Sequence, residues 1–137
     1  MAPQMGISIN WLDDEKRIII SEYSGKWTVS DVYQMLDATR TLVDSVKHSV
    51  DLIIVYRDSE ESVGKFVDSL TPEFITHFND NISDNQRLVV MVNASLLLKK
   101  TFKLLSKMMP NFLSHLLYAI SLEEALEIIE QHTALNS

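Results

Sequence analysis

The chain has no cysteine and only three glycines among its 137 residues. Without cysteine it can form no disulfide bond, and it has no thiolate to act as a nucleophile or a metal ligand. This composition suits a reducing compartment, so we expect a cytoplasmic location. The glycines are Gly6, Gly25 and Gly64, and a phosphate-binding loop needs glycines spaced much more closely. The standard nucleotide-binding loops are therefore excluded, and we predict no cofactor.

Long apolar segments and an excess of basic residues are also missing. The apolar runs extend over only a few residues, whereas a membrane-spanning helix needs about 20. The N-terminal stretch MAPQMGISINWLDDEKR lacks the basic region and long apolar run of a secretory signal. The 19 acidic residues outnumber the 12 basic ones, which gives a formal net charge of −7. Because nucleic-acid binding depends mainly on Lys and Arg at phosphates, we predict no nucleic-acid partner and no transmembrane segment.

What the chain does contain is the composition of an ordinary globular domain. Its hydrophobic content is 46%, and 137 residues are enough to bury one core without disulfides or metals. No linker, repeat or low-complexity tract interrupts it. We therefore predict a single domain over residues 1–137.

The first third of the chain predicts a hairpin followed by a helix. ISINWL (7–12) alternates apolar and polar residues, as a strand with one buried side does, and residues 17–24 are β-branched enough to pair with it. TVSD (28–31) has the pattern of a capping box, in which Thr28 and Asp31 each bind the other's free amide. An amphipathic helix over about residues 29–47 follows from the spacing of its apolar residues.

The remainder alternates short apolar runs with helical patterns. Residues 50–56, 87–92 and 112–120 read as strands, and helices begin at Thr71, near residue 95 and at Ser121. The predicted order is β-β-α-β-α-β-α-β-α. Strands that alternate with helices need crossover connections, so we predict an α/β fold. Its single mixed sheet has about five strands, with an antiparallel edge hairpin and three parallel strands.

Three segments carry a resemblance to a known family: ISINWLDDEKRIIISEYSGKWTVSDV, NQRLVVMVN and YAISLEEALEIIEQH. In their pattern and order they resemble the STAS-like fold, and specifically the SpoIIAA-like group related to bacterial anti-sigma-factor antagonists. The resemblance implies a non-catalytic regulatory or protein-interaction domain that acts through a protein partner or as a homodimer. The group has also been likened to lipid-carrying domains. The alternative is therefore a small protein that binds a lipid or another apolar ligand in a pocket between sheet and helices.

The resemblance also implies a candidate phosphorylation switch. Members that carry the switch have an Asp-Ser pair where the third strand leads into the next helix, and Asp58 and Ser59 fall at that place here. This chain departs from the pattern because Glu60 and Glu61 follow, where those members usually have a glycine soon after the serine. Two carboxylates would repel a phosphate. The other interpretation is that Ser59 is a turn serine that caps the next helix.

The remaining polar residues predict no catalytic or metal site. His77 and Asp80 lie three apart and would share a helix face, but a single pair of this kind recurs by chance. His115 falls in the predicted last strand, where a hydrogen-bonded or edge histidine is the ordinary explanation. The acidic pairs at Asp13-Asp14 and Glu60-Glu61 lie in predicted solvent-facing turns, which do not raise a carboxyl pKa for acid–base work. We therefore predict that the protein is not an enzyme.

Two tryptophans flank the predicted hairpin. If Trp11 and Trp27 point the same way, they can line an apolar ligand pocket. The alternative is that Trp11 belongs to the core and Trp27 packs at the start of the first helix. The sequence leaves both interpretations open.

The most unusual stretch is KKTFKLLSK, with four lysines in nine residues of an acidic chain: Lys99, Lys100, Lys103 and Lys107. No Asp or Glu occurs from position 94 to 120. On a helix over about residues 95–109, the lysines form a strip beside a wide apolar arc. Lysine stems can cover the apolar flank while their ammonium groups stay in water. The other hypothesis is a contact with an acidic partner, an anionic lipid surface or a second copy, and the wide arc favours the second copy.

Overall fold

The computed structural model describes residues 6–135, with side chains to residue 133. Its centre is one five-stranded sheet whose strands lie in chain order, so that each strand pairs with the next. The first pair is antiparallel and the other three pairs are parallel. The predicted mixed sheet with an edge hairpin is therefore confirmed. The strands are β1 (Gly6–Trp11), β2 (Ile18–Ser24), β3 (Val50–Arg57), β4 (Gln86–Val92) and β5 (Leu116–Ala119).

Six helices surround this sheet unequally. Every parallel crossover steps in the same direction across the sheet, and crossovers of one hand then place all their helices on one face. The core agrees, because side chains of the first five helices pack in one cluster and those of the last helix pack in the other. The helices are α1 (Val29–Asp44), α2 (Glu60–Asp68), α3 (Pro72–Asp80), α4 (Leu96–Leu104), α5 (Pro110–Leu113) and α6 (Leu122–Leu135).

The predicted helix starts are confirmed at atomic detail. The Thr28 hydroxyl accepts from the Asp31 amide at 3.2 Å, and the Asp31 carboxylate accepts from the Thr28 amide at 2.9 Å. Thr71 and Ser121 cap α3 and α6 with their side-chain oxygens. Each oxygen accepts from the backbone amide three residues later, Phe74 or Glu124, at 3.1 Å. Each cap satisfies an amide that the helix itself leaves without a partner.

The crossovers contain more helix than the sequence predicts. The predicted order has no element between the strand at 50–56 and the helix that begins at Thr71, and the nine-residue helix α2 lies there. The lysine-bearing helix ends at Leu104 instead of near residue 109, and a turn leads to the separate helix α5. Met109 is non-helical at φ −132° and ψ 49°, which agrees with the steric demand of the Pro110 ring on the residue before it.

The predicted last strand is wrong at its beginning. Residues 112–115 lie in α5 and the following turn, so β5 has only four residues. The amides of Asn111 and Phe112 donate to the buried Asn79 side chain, at 3.0 and 3.2 Å, which holds the start of α5 against α3. His115 is an exposed turn residue, and its carbonyl oxygen accepts from the Val89 amide.

The strand β3 contains one buried charged residue, Asp51. Its side chain points to the face covered by α6, where Arg87 donates to both carboxylate oxygens, at 2.8 and 2.7 Å. The Leu88 amide donates to the same carboxylate at 3.1 Å. These hydrogen bonds to Asp51 raise the pKa of Arg87 further above its ordinary value. A buried charge that is paired and hydrogen-bonded in this way is compatible with a packed core.

Candidate functional site

A cavity of about 70 Å³ lies between the sheet and the layer formed by α1 to α5. Its walls are mostly aliphatic and aromatic and come from β2, β3 and β4 on one side and from the helices on the other. It is therefore a small internal site, well below the usual volume of a site for a drug-sized ligand. The apolar walls include Trp27, Met35, Ile54, Phe66, Phe102 and Phe112.

One end of the cavity is aromatic. The rings of Tyr23 and Tyr56 lie on paired positions of β2 and β3, with their centres 5.2 Å apart. Trp27 meets the edge of Tyr23 at 5.1 Å and an interplanar angle of 89°. Phe66 of α2 lies 6.0 Å from Trp27 on the other side. Contacts of this geometry stabilise aromatic pairs beyond the area they bury.

Four residues with hydroxyl groups line the cavity, Ser21, Tyr23 and Tyr56 on the sheet side and Thr39 on the helix side. The Ser21 hydroxyl has only the sulfur of Met35 as a partner, at 3.6 Å, and that of Tyr56 has only a methionine sulfur, at 3.9 Å. The hydroxyls of Tyr23 and Thr39 make no hydrogen bond to another residue that the structure describes. Both stay accessible to a water-sized molecule, because no fully buried side-chain nitrogen or oxygen of the described residues lacks a partner. A thioether is a weak acceptor, so hydrogen-bonding capacity remains on all four groups.

Burial keeps the two phenols protonated. Removal from water raises the pKa of Tyr23 well above its ordinary value. The same effect raises the pKa of Tyr56, and the charges that Tyr23 and Tyr118 would carry raise it further. Because the charged form is disfavoured in this apolar surrounding, both side chains are neutral hydrogen-bond donors.

The charged lining residues of the described chain lie at the outer end of the cavity, between α1 and α3. They are the exposed Asp37 and Arg40 of α1 and His77 of α3. Arg40 donates to the side-chain oxygen of Asn81 at 2.5 Å, and this hydrogen bond joins the two helices at the opening. The Asn81 amide in turn lies 3.1 Å from the His77 ring nitrogen.

The structure separates the two tryptophans proposed as a pocket. Trp27 is buried and forms part of the cavity wall. Trp11 is half-buried on the edge strand β1, packs against the core and does not line the cavity. Of the predicted pair, only Trp27 meets the ligand-pocket hypothesis.

Ser59 is buried behind Trp27. Its hydroxyl lies 2.8 Å from the Tyr23 carbonyl oxygen and 2.9 Å from that of Arg57, and it accepts from the Trp27 ring nitrogen at 3.1 Å. It occupies the N-cap position of α2 without a capping hydrogen bond. Asp58 beside it has a positive φ of 49°. The phosphorylation switch at Ser59 stays a prediction, and a phosphoryl group there would have to displace these contacts.

The four lysines lie on α4 and the turn after it, and all are exposed. Lys99 places its ammonium 5.1 Å from the centre of the Tyr118 ring. The apolar arc beside the lysines divides into two parts. Leu98 and Phe102 are buried in the core. Leu97, Leu104 and Met108 are among the most exposed large hydrophobic side chains of the described chain.

The hydroxyls on the cavity wall were missed by the sequence analysis. Thr39 lies on the same helix face as the buried residues Val32, Met35 and Val43 of α1. A polar residue in this apolar row was the signal from which a buried hydroxyl could have been predicted. The tyrosines were treated as ordinary strand residues. Their convergence needs the register of two strands far apart in sequence.

Over residues 6–135, no group of His, Asp or Glu side chains is arranged to hold a metal ion. In the same range, no helix is both long and apolar enough to cross a bilayer. Comparison with models of protein families, with curated proteins and with solved structures finds no match to this chain. The resemblance to the SpoIIAA-like group therefore stays a prediction.

Proposed function

We propose that this protein binds a small, neutral, mostly apolar molecule that carries one acceptor oxygen, such as the carbonyl of a ketone, ester or amide. The observation that carries the proposal is the set of four hydroxyl-bearing residues that line an otherwise apolar cavity: Ser21, Tyr23, Thr39 and Tyr56. Their hydroxyls have weak sulfur partners or none among the described residues, so a molecule inside the cavity can hydrogen-bond to them. Ligand sites commonly combine apolar walls with a few polar groups of this kind.

The chemistry of the lining selects for a neutral ligand. The charged lining residues of the described chain are at the outer end, so an ion in the interior would lose its hydration without gaining a counter-charge. The two phenols remain protonated because burial raises the pKa of both Tyr23 and Tyr56. Each can therefore donate to a carbonyl oxygen, while the walls cover the alkyl part.

The volume sets the size of the ligand. A cavity of about 150 Å³ in another protein accommodates benzene, and the cavity here is about 70 Å³. It is therefore about half the size of a benzene site, and even a short-chain ketone requires the cavity to widen as it binds. A series of methyl ketones, from butanone to octan-2-one, tests both the chemistry and the size limit.

The test is a titration of each ketone followed by amide chemical shifts. We expect shifts at β2, β3 and α1 that saturate, and the chain length of the tightest ketone gives the usable volume. Tyr23→Phe and Tyr56→Phe each remove one hydroxyl and keep the ring, so each should weaken binding by about 2- to 12-fold, the range of a neutral hydrogen bond.

The matched control is Tyr33→Phe. Tyr33 is a partly buried tyrosine that contacts Phe74 and does not line the cavity, so its loss should leave ketone binding unchanged. Absence of saturable shifts with every ketone would refute the proposal. Equal binding by wild type and both cavity variants would refute the assigned role of the phenols. Native mass spectrometry of protein taken directly from cells adds a direct search for a retained ligand.

A second candidate function is the regulatory or protein-interaction role expected from the SpoIIAA-like resemblance. Its support is the exposed surface of α4, which combines leucines with lysines. Self-association measured by analytical ultracentrifugation tests it. Loss of a dimer in a variant with Lys100, Lys103 and Lys107 changed to Gln would support this role.

A further inference from the structure

Exposed apolar side chains are concentrated on one short segment. The described chain exposes seven large hydrophobic residues, and four of them fall between positions 96 and 108. Their exposed fractions are 67% for Leu96, 47% for Leu97, 84% for Leu104 and 48% for Met108. Single exposed apolar residues are normal, but a cluster on one element indicates an interaction surface.

The same segment carries the four lysines. Lys99, Lys100, Lys103 and Lys107 are all exposed, and none forms an ion pair with another residue that the structure describes. The absence of any acidic residue from position 94 to 120 leaves their charge without local compensation. We call the four lysines and four exposed apolar residues together the α4 surface.

The inner side of α4 anchors the α4 surface to the core. Leu98 and Phe102 on the inner side of the helix are 1% and 6% exposed and pack into the core. The Ser95 hydroxyl accepts from the Leu98 amide at 3.2 Å and caps the helix. Because the helix is anchored on this side, the leucines and lysines of the outer side project together into solvent.

We propose that the α4 surface binds peripherally to an anionic lipid bilayer, with the leucines in the headgroup region and the lysines against lipid phosphates and carboxylates. Helices that lie in the membrane interface combine Lys and Leu in this way. Protein–protein interfaces are depleted of lysine. The sequence pattern favours a second copy because a wide apolar arc permits burial on two sides. In the structure, exposed leucines stand beside exposed lysines that form no ion pair, and this combination favours the bilayer.

The charge distribution fixes the orientation. The chain as a whole is acidic, at −7, and an anionic surface repels most of it. The exposed acids Glu123, Glu127 and Glu130 lie on α6, which covers the face of the sheet opposite to α4. Docking through α4 therefore places these acids on the side of the sheet away from the lipid. Glu60 and Glu61 of α2 lie on the same face as α4, and Lys65 forms an ion pair with Glu61 at 3.1 Å.

The test is co-sedimentation of the full chain with vesicles of phosphatidylcholine containing about 30% phosphatidylserine, compared with pure phosphatidylcholine. We expect binding to the anionic vesicles only, and its loss at about 0.5 M salt. Changing Lys100, Lys103 and Lys107 together to Gln should weaken binding about 100-fold, since each lysine near such a surface contributes about fivefold. Leu104→Ser should weaken it about tenfold.

Two control variants match these changes elsewhere on the molecule. Changing Lys16, Lys26 and Lys47 to Gln makes the same change in net charge outside the α4 surface and should alter binding less than about threefold. Leu126→Ser makes the same substitution on α6 and should have no effect. Unfolding temperatures of all variants verify that they fold.

Failure of the wild-type chain to sediment with anionic vesicles overturns the proposal. Equal binding by the α4 variants and the matched controls overturns it as well. A dimer that the α4 variants dissociate, without vesicle binding, assigns the surface to a second copy and also overturns the proposal. Ketone binding in the cavity is measured separately and does not enter any of these outcomes.

Discussion

The Asp51 site on one face of the sheet and the cavity on the other differ in how their polar groups are partnered. On the face covered by α6, the carboxylate of Asp51 receives two hydrogen bonds from Arg87 and one from the Leu88 amide. On the face covered by α1 to α5, the hydroxyls of Tyr23 and Thr39 have no hydrogen-bond partner in the described chain. A satisfied polar group on a packed face stabilises the fold. Polar groups left without partners around a cavity are available to a ligand.

The difference follows from how each face is covered. A single helix lies across β3, β4 and β5 on the α6 face and packs against them directly. The other face is covered by five helices of different lengths. Residues 69–71 join α2 to α3, and the turn before Pro110 joins α4 to α5. Several short helices cannot all lie flat on a twisted sheet, and the cavity lies where they meet.

The largest effect is expected when the ion pair on the α6 face is broken. Arg87→Ala leaves Asp51, whose side chain is 7% exposed, as a buried charge with only an amide as partner. The free energy of unfolding should fall by about 3 kcal/mol. Chemical denaturation measures it. Arg17→Ala removes an exposed pair with Glu15 and should cost less than about 1 kcal/mol. Similar losses in both variants would mean that the pair does not belong to the packed core.

The two buried tyrosines of the cavity should make the free energy of unfolding depend on pH above about 10. The pKa values of Tyr23 and Tyr56 are higher in the folded chain than in the unfolded one. As the pH rises above about 10, the unfolded chain loses these protons first, so the free energy of unfolding should fall by about 1.4 kcal/mol per pH unit for each tyrosine. Denaturation at several pH values, for wild type and for Tyr23→Phe, measures the slope. An unchanged slope in the variant would contradict the burial of this phenol.

A smaller contrast separates two hydroxyls near the cavity. Ser59→Ala removes the acceptor of the Trp27 ring nitrogen and should lower the free energy of unfolding by about 1 to 2 kcal/mol. Thr39→Val replaces a hydroxyl without a described partner by a methyl group. It should be neutral or stabilise the fold by up to about 1 kcal/mol, because no hydrogen bond is lost. A clear destabilisation by Thr39→Val, measured by thermal and chemical denaturation, would show that this hydroxyl is structural.

Helix starts and buried strands were predicted well where a capping residue or a short apolar run marked them. The capping residues Thr28, Thr71 and Ser121 marked helix starts because a cap is an interaction between residues only three apart. The apolar runs that became β3 and β4 marked buried strands. The end of α4 and the start of β5 were misjudged because Asn79, on a different crossover, holds the chain at Asn111 and Phe112.

The candidate site was much less predictable than the fold. The structure places Trp27 on the cavity wall and Trp11 outside it, a separation that strand alternation alone does not reveal, and a ligand role for Trp27 stays a prediction. The lysines were correctly recognised as an exposed strip. Which leucines of α4 are exposed next to the lysines depends on which side of the helix packs against the sheet.

The sequence by itself determined the order of the elements, the parallel sheet with its edge hairpin and the acid-free character of the segment around α4, because periodicity, caps and charge are local properties. Only the tertiary structure decided that Ser21, Thr39 and Tyr56 line one cavity with Tyr23, and that Asp51 is buried against Arg87. These groups come from elements far apart in the chain. Their meeting depends on strand register and helix packing, which no short window of sequence contains.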